Sequence, residues 1–156
     1  MTSLTLARLV AAVSPFLLSA PLKGQHDAAS CRDLTVYENR NQVDYGPLRV
    51  GSVRGVARLD VEGSATGSAI AGACLSLFTE GDHRWLKGVT ADSKGRFQFA
   101  AVKPGRYRLL AKASGLCVAN VSIAVEESSR AKGADLVVHF RPTGIDSCSF
   151  VECVRK

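Results

Sequence analysis

The chain is poor in aromatic residues, at 6% of 156, and it holds a single tryptophan, Trp85. It has no internal repeat and no low-complexity tract. No apolar run reaches the roughly 20 residues that a membrane-spanning helix needs, so no stable span is expected once the leader described below is removed. No basic run interleaves with aromatics, although the net charge is +6. Nucleic acid is therefore not an expected partner, and the charge favours anionic surfaces only in a general way. The histidines His26, His83 and His139 are isolated, and none is followed by a carboxylate three residues on, as a metallopeptidase-type zinc pair requires. A phosphate-cradling glycine loop and a serine nucleophile elbow are also missing, and Gly63 to Gly67 reads as a plain loop. Asp92-Ser93-Lys94-Gly95 offers one carboxylate, too few ligands for calcium, and reads as a hairpin turn. Neither a metal nor a cofactor is expected, and no enzymatic activity.

What is abundant is glycine, with 14 residues punctuating the chain, which favours many short strands over helices. Before that pattern begins, Arg8 is the only charge ahead of an apolar stretch from Leu9 to Ala20, interrupted by Pro15. Residues 1–24 are expected to be a signal peptide, with Gly24-Gln25 and Ala29-Ser30 as the candidate cleavage points. Ala28-Ala29-Ser30-Cys31 lies well past the apolar stretch and lacks the leucine of a lipoprotein box, so lipidation is not expected. The expected location is secreted, in the periplasm or outside the cell.

Residues 25–49 read as an N-terminal arm, 50–141 as one domain and 142–156 as a C-terminal tail. Within 50–141, period-two alternation marks seven strands: Ser52–Asp60, Gly72–Thr79, Trp85–Ala91, Arg96–Ala100, Arg106–Ala111, Val118–Val125 and Asp135–Arg141. Val53, Ala57 and Leu59, then Ala73, Leu75 and Leu77, Phe97 and Phe99, Tyr107, Leu109 and Ala111, Val121, Ile123 and Val125, and Leu136, Val138 and Phe140 are the expected shared-face residues. Cys74, Ser76 and Phe78 fall on the opposite parity from Leu75. The expected architecture is an all-β, seven-stranded antiparallel sandwich with one solvated face per sheet.

Five cysteines, Cys31, Cys74, Cys117, Cys148 and Cys153, sit behind the leader. In an oxidising compartment this number implies disulfides with one thiol left over, which would allow a disulfide-linked dimer. Location favours Cys74–Cys117 as a staple inside the sandwich, whereas strand parity turns Cys74 outward and argues against it. Cys148 and Cys153 would close a small loop, or one of them would tie down Cys31. A zinc site is not expected from this spacing.

Four elements in order resemble the carboxypeptidase regulatory-like domain, a transthyretin-like (prealbumin-like) sandwich. They are Val53-Arg54-Gly55-Val56, Ala69 through Leu75, Thr90 through Phe97, and Val102-Lys103-Pro104-Gly105-Arg106-Tyr107. The resemblance covers about Val50 to Arg141. It implies an accessory or stand-alone module in a secreted or cell-surface setting, and no catalysis. A related transthyretin-like family hydrolyses 5-hydroxyisourate with a C-terminal tyrosine-arginine-glycine-serine motif, which this chain lacks. Collagen-adhesin-type sandwiches carry a lysine on the first strand for an isopeptide crosslink, where this chain has Arg54 and Arg58, so no crosslink is expected.

The resulting expectation is a secreted, non-enzymatic module that binds a protein or plays a structural role at the cell envelope. A carbohydrate-binding module stacking a sugar on Trp85 and Phe78 is the alternative, against which stands Trp85 as a core-closing residue. A small hydrolase is the third reading and would need His83, His139 and carboxylates to converge in a cleft.

Overall fold

Alternation sorts the residues into two layers. Phe97 and Phe99 are buried while Arg96 and Gln98 are exposed, and Leu136, Val138 and Phe140 are wholly buried between half-exposed neighbours. The computed structural model describes residues 31–34, 46–60, 67–127, 131, 133–143 and 149–155. The proposed signal peptide and its cleavage points, His26 and Cys148 lie outside the described residues.

Nine strands are formed: β1 (Leu48–Val50), β2 (Arg54–Leu59), β3 (Cys74–Thr79), β4 (Trp85–Thr90), β5 (Arg96–Gln98), β6 (Gly105–Lys112), β7 (Ala119–Val125), β8 (Ala134–Phe140) and β9 (Phe150–Arg155). Among the described residues there is no α-helix, and none is long and apolar enough to cross a membrane. A five-stranded sheet runs β1-β7-β6-β3-β4 and a four-stranded sheet runs β5-β2-β8-β9. The core lies between them. Leu75, Leu77, Leu109 and Ile123 from the first sheet meet Ala57, Phe97, Leu136, Val138 and Phe140 from the second.

The all-β sandwich is as the sequence implies, with two corrections. The pairing is mixed rather than antiparallel, because β1 lies parallel to β7 and β2 parallel to β8. Parallel neighbours need a long crossover, and the chain between β2 and β8 supplies one by building the other sheet on the way. The segment 142–156 is also more than a tail, since it contains β9, which pairs antiparallel with β8 from Ala134↔Arg155 to His139↔Phe150. Its apolar residues fall on both parities. Val151 and Cys153 pack on the core while Phe150 and Val154 face out, so no alternation signal exists in the sequence. Likewise β1, at three residues, is too short to show a period.

Two turns fix the hairpin region. The Asp92 carboxylate accepts the backbone N–H groups of Lys94 and Arg96, both at 2.8 Å. Gly95 follows at φ 71°, with its carbonyl accepting the Ala57 N–H at 2.8 Å. This bond ties the turn to β2. Further on, the Tyr107 hydroxyl donates to the Lys103 carbonyl at 2.8 Å, closing the chain over the start of β6.

Candidate interaction face

The outer surface of the four-stranded sheet is built from residues far apart in the chain, Arg54 and Asp135 being 81 positions apart, that the sheet register brings into rows. Val56 on β2 lies beside Arg96 on β5 and Val137 on β8, and Val137 lies beside Glu152 on β9. Arg58 lies beside His139, and His139 beside Phe150. These residues share one face because side chains two apart on a strand point the same way.

Within the rows, the carboxylates are engaged. Arg54 Nε donates to Asp135 Oδ1 at 2.7 Å, and His139 Nε2 lies 2.8 Å from Glu152 Oε1. The His139 ring stacks on Phe150 with centroids 4.5 Å apart and planes 6° from parallel. Arg141, which donates to Asp60 at 2.6 Å, also sets its guanidinium 5.0 Å from the Phe150 ring centre. By contrast, Arg58, Lys94 and Arg96 form no ion pair among the described residues. For the last two, the acid of their own turn is Asp92. Its carboxyl is held below the usual range first by the Arg96 N–H, with the Lys94 and Arg96 charges adding to the same effect. The face is therefore cationic over β5 and β2. Over β8 and β9 it is mixed, with Phe150 and Val154 exposed at 39% and 42% among the engaged Asp135, His139 and Glu152. No described strand pairs with the outer side of β9.

The residues proposed for sugar stacking lie on the other sheet. Trp85 does pair with Phe78 across β4 and β3, at a bulge. Phe78, however, is only 3% exposed, so it offers no ring to a ligand. Trp85 is half-buried, with the Arg32 guanidinium 5.3 Å from its ring centre. Its indole Nε1 is buried with no hydrogen-bond partner among the described residues. The exposed aromatic pair that the sugar platform requires is not formed. The histidines are likewise separated by the fold. His139 belongs to β8 on the four-stranded sheet, whereas His83 sits in the turn between β3 and β4 of the other sheet. No group of three metal-ligating side chains is gathered among the described residues.

The cysteine pairing also differs from the favoured one. Cys74 bonds to Cys31 within the chain, with Cα atoms 5.2 Å apart, and not to Cys117. The parity of β3 decided this, since Cys74 points away from the core toward the arm, where Cys31 is fully buried. The Ser76 hydroxyl, two residues along the same face, donates to the Cys31 carbonyl. Cys117 lies at the far end, where its N–H donates to the Arg141 carbonyl at 2.8 Å and its own carbonyl accepts from Ser149 at 2.8 Å. Cys153 keeps a free thiol on β9, half-buried, and burial pushes that thiol up from its ordinary value.

A comparison with protein families then places this β-architecture. The carboxypeptidase regulatory-like domain matches residues 60–139. The chain belongs to that family. No curated protein matches it significantly in sequence. Among solved structures, this family member is similar to the 5-hydroxyisourate hydrolase of Klebsiella pneumoniae, at 20% identity and a TM-score of 0.44, covering 74% of this chain and 99% of that one. It is also similar to the 3-chlorocatechol 1,2-dioxygenase of Rhodococcus opacus, at 10% identity and a TM-score of 0.34, covering 81% of this chain and 75% of that one. Both are too distant to carry any chemistry over to the carboxypeptidase regulatory-like chain. The interaction face itself was not legible in the sequence. The alternation that puts Arg54, Arg58 and Asp60 on one side of the first strand describes a plain solvated face equally well.

Proposed function

We propose that this carboxypeptidase regulatory-like chain is a secreted, non-enzymatic module that binds another protein at the cell envelope. The observation that carries this reading is the open four-stranded sheet ending at β9, whose outer side has no described strand partner and which exposes Phe150 and Val154. An unpaired strand edge is a template for a strand from another chain, and exposed apolar side chains beside it supply contact area. The intrachain Cys31–Cys74 disulfide supports an oxidising location.

The test is a photo-crosslinking amino acid placed at Val154 in cells of the native host. A discrete covalent adduct to another protein is the expected result, absent when the crosslinker replaces Lys112 on the opposite sheet. No adduct at Val154, or the same adducts at both positions, would overturn the reading.

A further inference from the structure

The two halves of the four-stranded sheet's outer face differ in chemistry, and the difference selects a partner. On the β5–β2 half, Arg58, Lys94 and Arg96 carry charge that no ion pair among the described residues neutralises. The Gly95 carbonyl bonds to the Ala57 N–H and Arg96 pairs with Val56, two residues from Arg58 on the same face of β2. The local acids are already engaged. Asp135 is bound to Arg54, and Asp92 accepts two backbone N–H groups of its own turn. On the β8–β9 half, Val137, Phe150 and Val154 form a broken apolar strip in which each lies opposite one of Glu152, His139 and Asp135, whose side chains are held in the His139–Glu152 and Arg54–Asp135 contacts.

We propose that this face docks an extended acidic polypeptide segment in which carboxylates alternate with apolar side chains. Resting on the protein-binding reading above, this names the partner's chemistry. Carboxylates would meet Arg58 and Arg96, for which guanidinium geometry suits bidentate contact. Apolar side chains would cover Val137, Phe150 and Val154. A sulfated polysaccharide supplies the charge but leaves that strip wet. An anionic membrane supplies both, but Phe150 and Val154 are strand residues rather than the tip of a loop that could enter a bilayer. An extended peptide matches both halves because its own side chains alternate.

The test uses the full mature chain and a fluorescein-labelled ten-residue peptide of alternating glutamate and leucine, followed by anisotropy. Saturable binding is expected, weakened at least tenfold by the double change Arg58→Glu and Arg96→Glu. Raising the salt should weaken it further, because exposed charges are screened. The pair Arg106→Glu and Lys112→Glu, on the other sheet, should change it less than twofold. Arg58 is half-buried, so Lys94→Glu with Arg96→Glu, at two exposed positions, provides a second variant should the first unfold. Absence of saturable binding overturns the proposal, as does equal loss in both double variants, which would mean attraction by net charge alone. Equal or tighter binding of heparin or of phosphatidylglycerol vesicles, lost in the same variants, overturns the choice of a polypeptide. A Val154 crosslink that survives Arg58→Glu with Arg96→Glu would sink the acidic segment while leaving the protein-binding reading intact. Peptide binding that is lost in the same variants, with no Val154 adduct in cells, would keep the affinity of this face for acidic segments and overturn a cell-envelope partner reached beside β9.

Discussion

Gly95 shows how one residue holds two elements together. Its φ of 71° lies in the left-handed region, and a Cβ built there would stand 2.5 Å from the Ala57 carbonyl oxygen. Both effects act on Gly95→Ala, which is expected to destabilise by at least about 1–2 kcal/mol from the backbone conformation alone. A denaturant midpoint within error of the parent chain would refute this. Asp92 acts on the same turn through charge. Hydrogen bonds from Arg96 and Lys94 stabilise its ionised form and lower its pKa below the ordinary 3.8. A depressed carboxylate pKa contributes stability that is present above the unfolded value and lost as the pH falls through the folded one. Asp92→Asn should therefore be less stable than the parent at neutral pH, and the gap should close in acid below that ordinary value. A gap constant across the acid range would mean that ionisation of Asp92 is not involved. Both turn residues were visible in the sequence, because Asp-x-x-Gly between two alternating runs has a local physical meaning. The rows of the interaction face were not, since Arg54 and Asp135 meet only through the β2–β8 register.

At the scale of the element, β8 and β9 separate what alternation can reveal from what it cannot. β8 buries Ala134, Leu136, Val138 and Phe140 and half-exposes the residues between, so its period was plain. β9 has apolar residues on both sides and follows Pro142, so its sequence resembles a tail. The sandwich nevertheless depends on it. Ser149, at its entry, accepts the Arg141 N–H at 2.9 Å and donates to the Cys117 carbonyl, while being 3% exposed. Ser149→Ala leaves a backbone donor without this acceptor and is expected to cost roughly 1–3 kcal/mol. Ending the chain at Arg141 should cost far more, because the β8 backbone and the core beneath Val151 and Cys153 would be uncovered. The thermal midpoint of the shortened chain should fall well below that of the full chain, or the protein should aggregate. A shortened chain as stable as the full one would show that β9 is dispensable.

At the scale of the whole molecule, the two sheets present outer faces of opposite character. The four-stranded sheet exposes charged and apolar side chains on its outer face. The five-stranded sheet is tied through Cys74 to Cys31, and Ser76, Phe78, Leu110 and Ser122 on its outer side are all buried. The sequence placed Cys74 on that outer parity but held no local signal for its partner, because a disulfide is selected by three-dimensional proximity. With a separation of 43 residues, the bond is expected to add about 2–4 kcal/mol to stability, mainly by restricting the unfolded chain. It also keeps Arg32, the next residue, against Trp85. Since Trp85 is the sole tryptophan, tryptophan fluorescence reports on this one position. Replacing Cys31 and Cys74 together by serine should raise acrylamide quenching of Trp85 while the far-ultraviolet circular dichroism stays β-type, because the sheets are held by their own core and not by the arm. If quenching is unchanged, the arm is seated by its packing and the disulfide only reinforces it. If the β-signal is lost instead, the bond is required for the fold, and the arm is part of the domain rather than a lead-in to it.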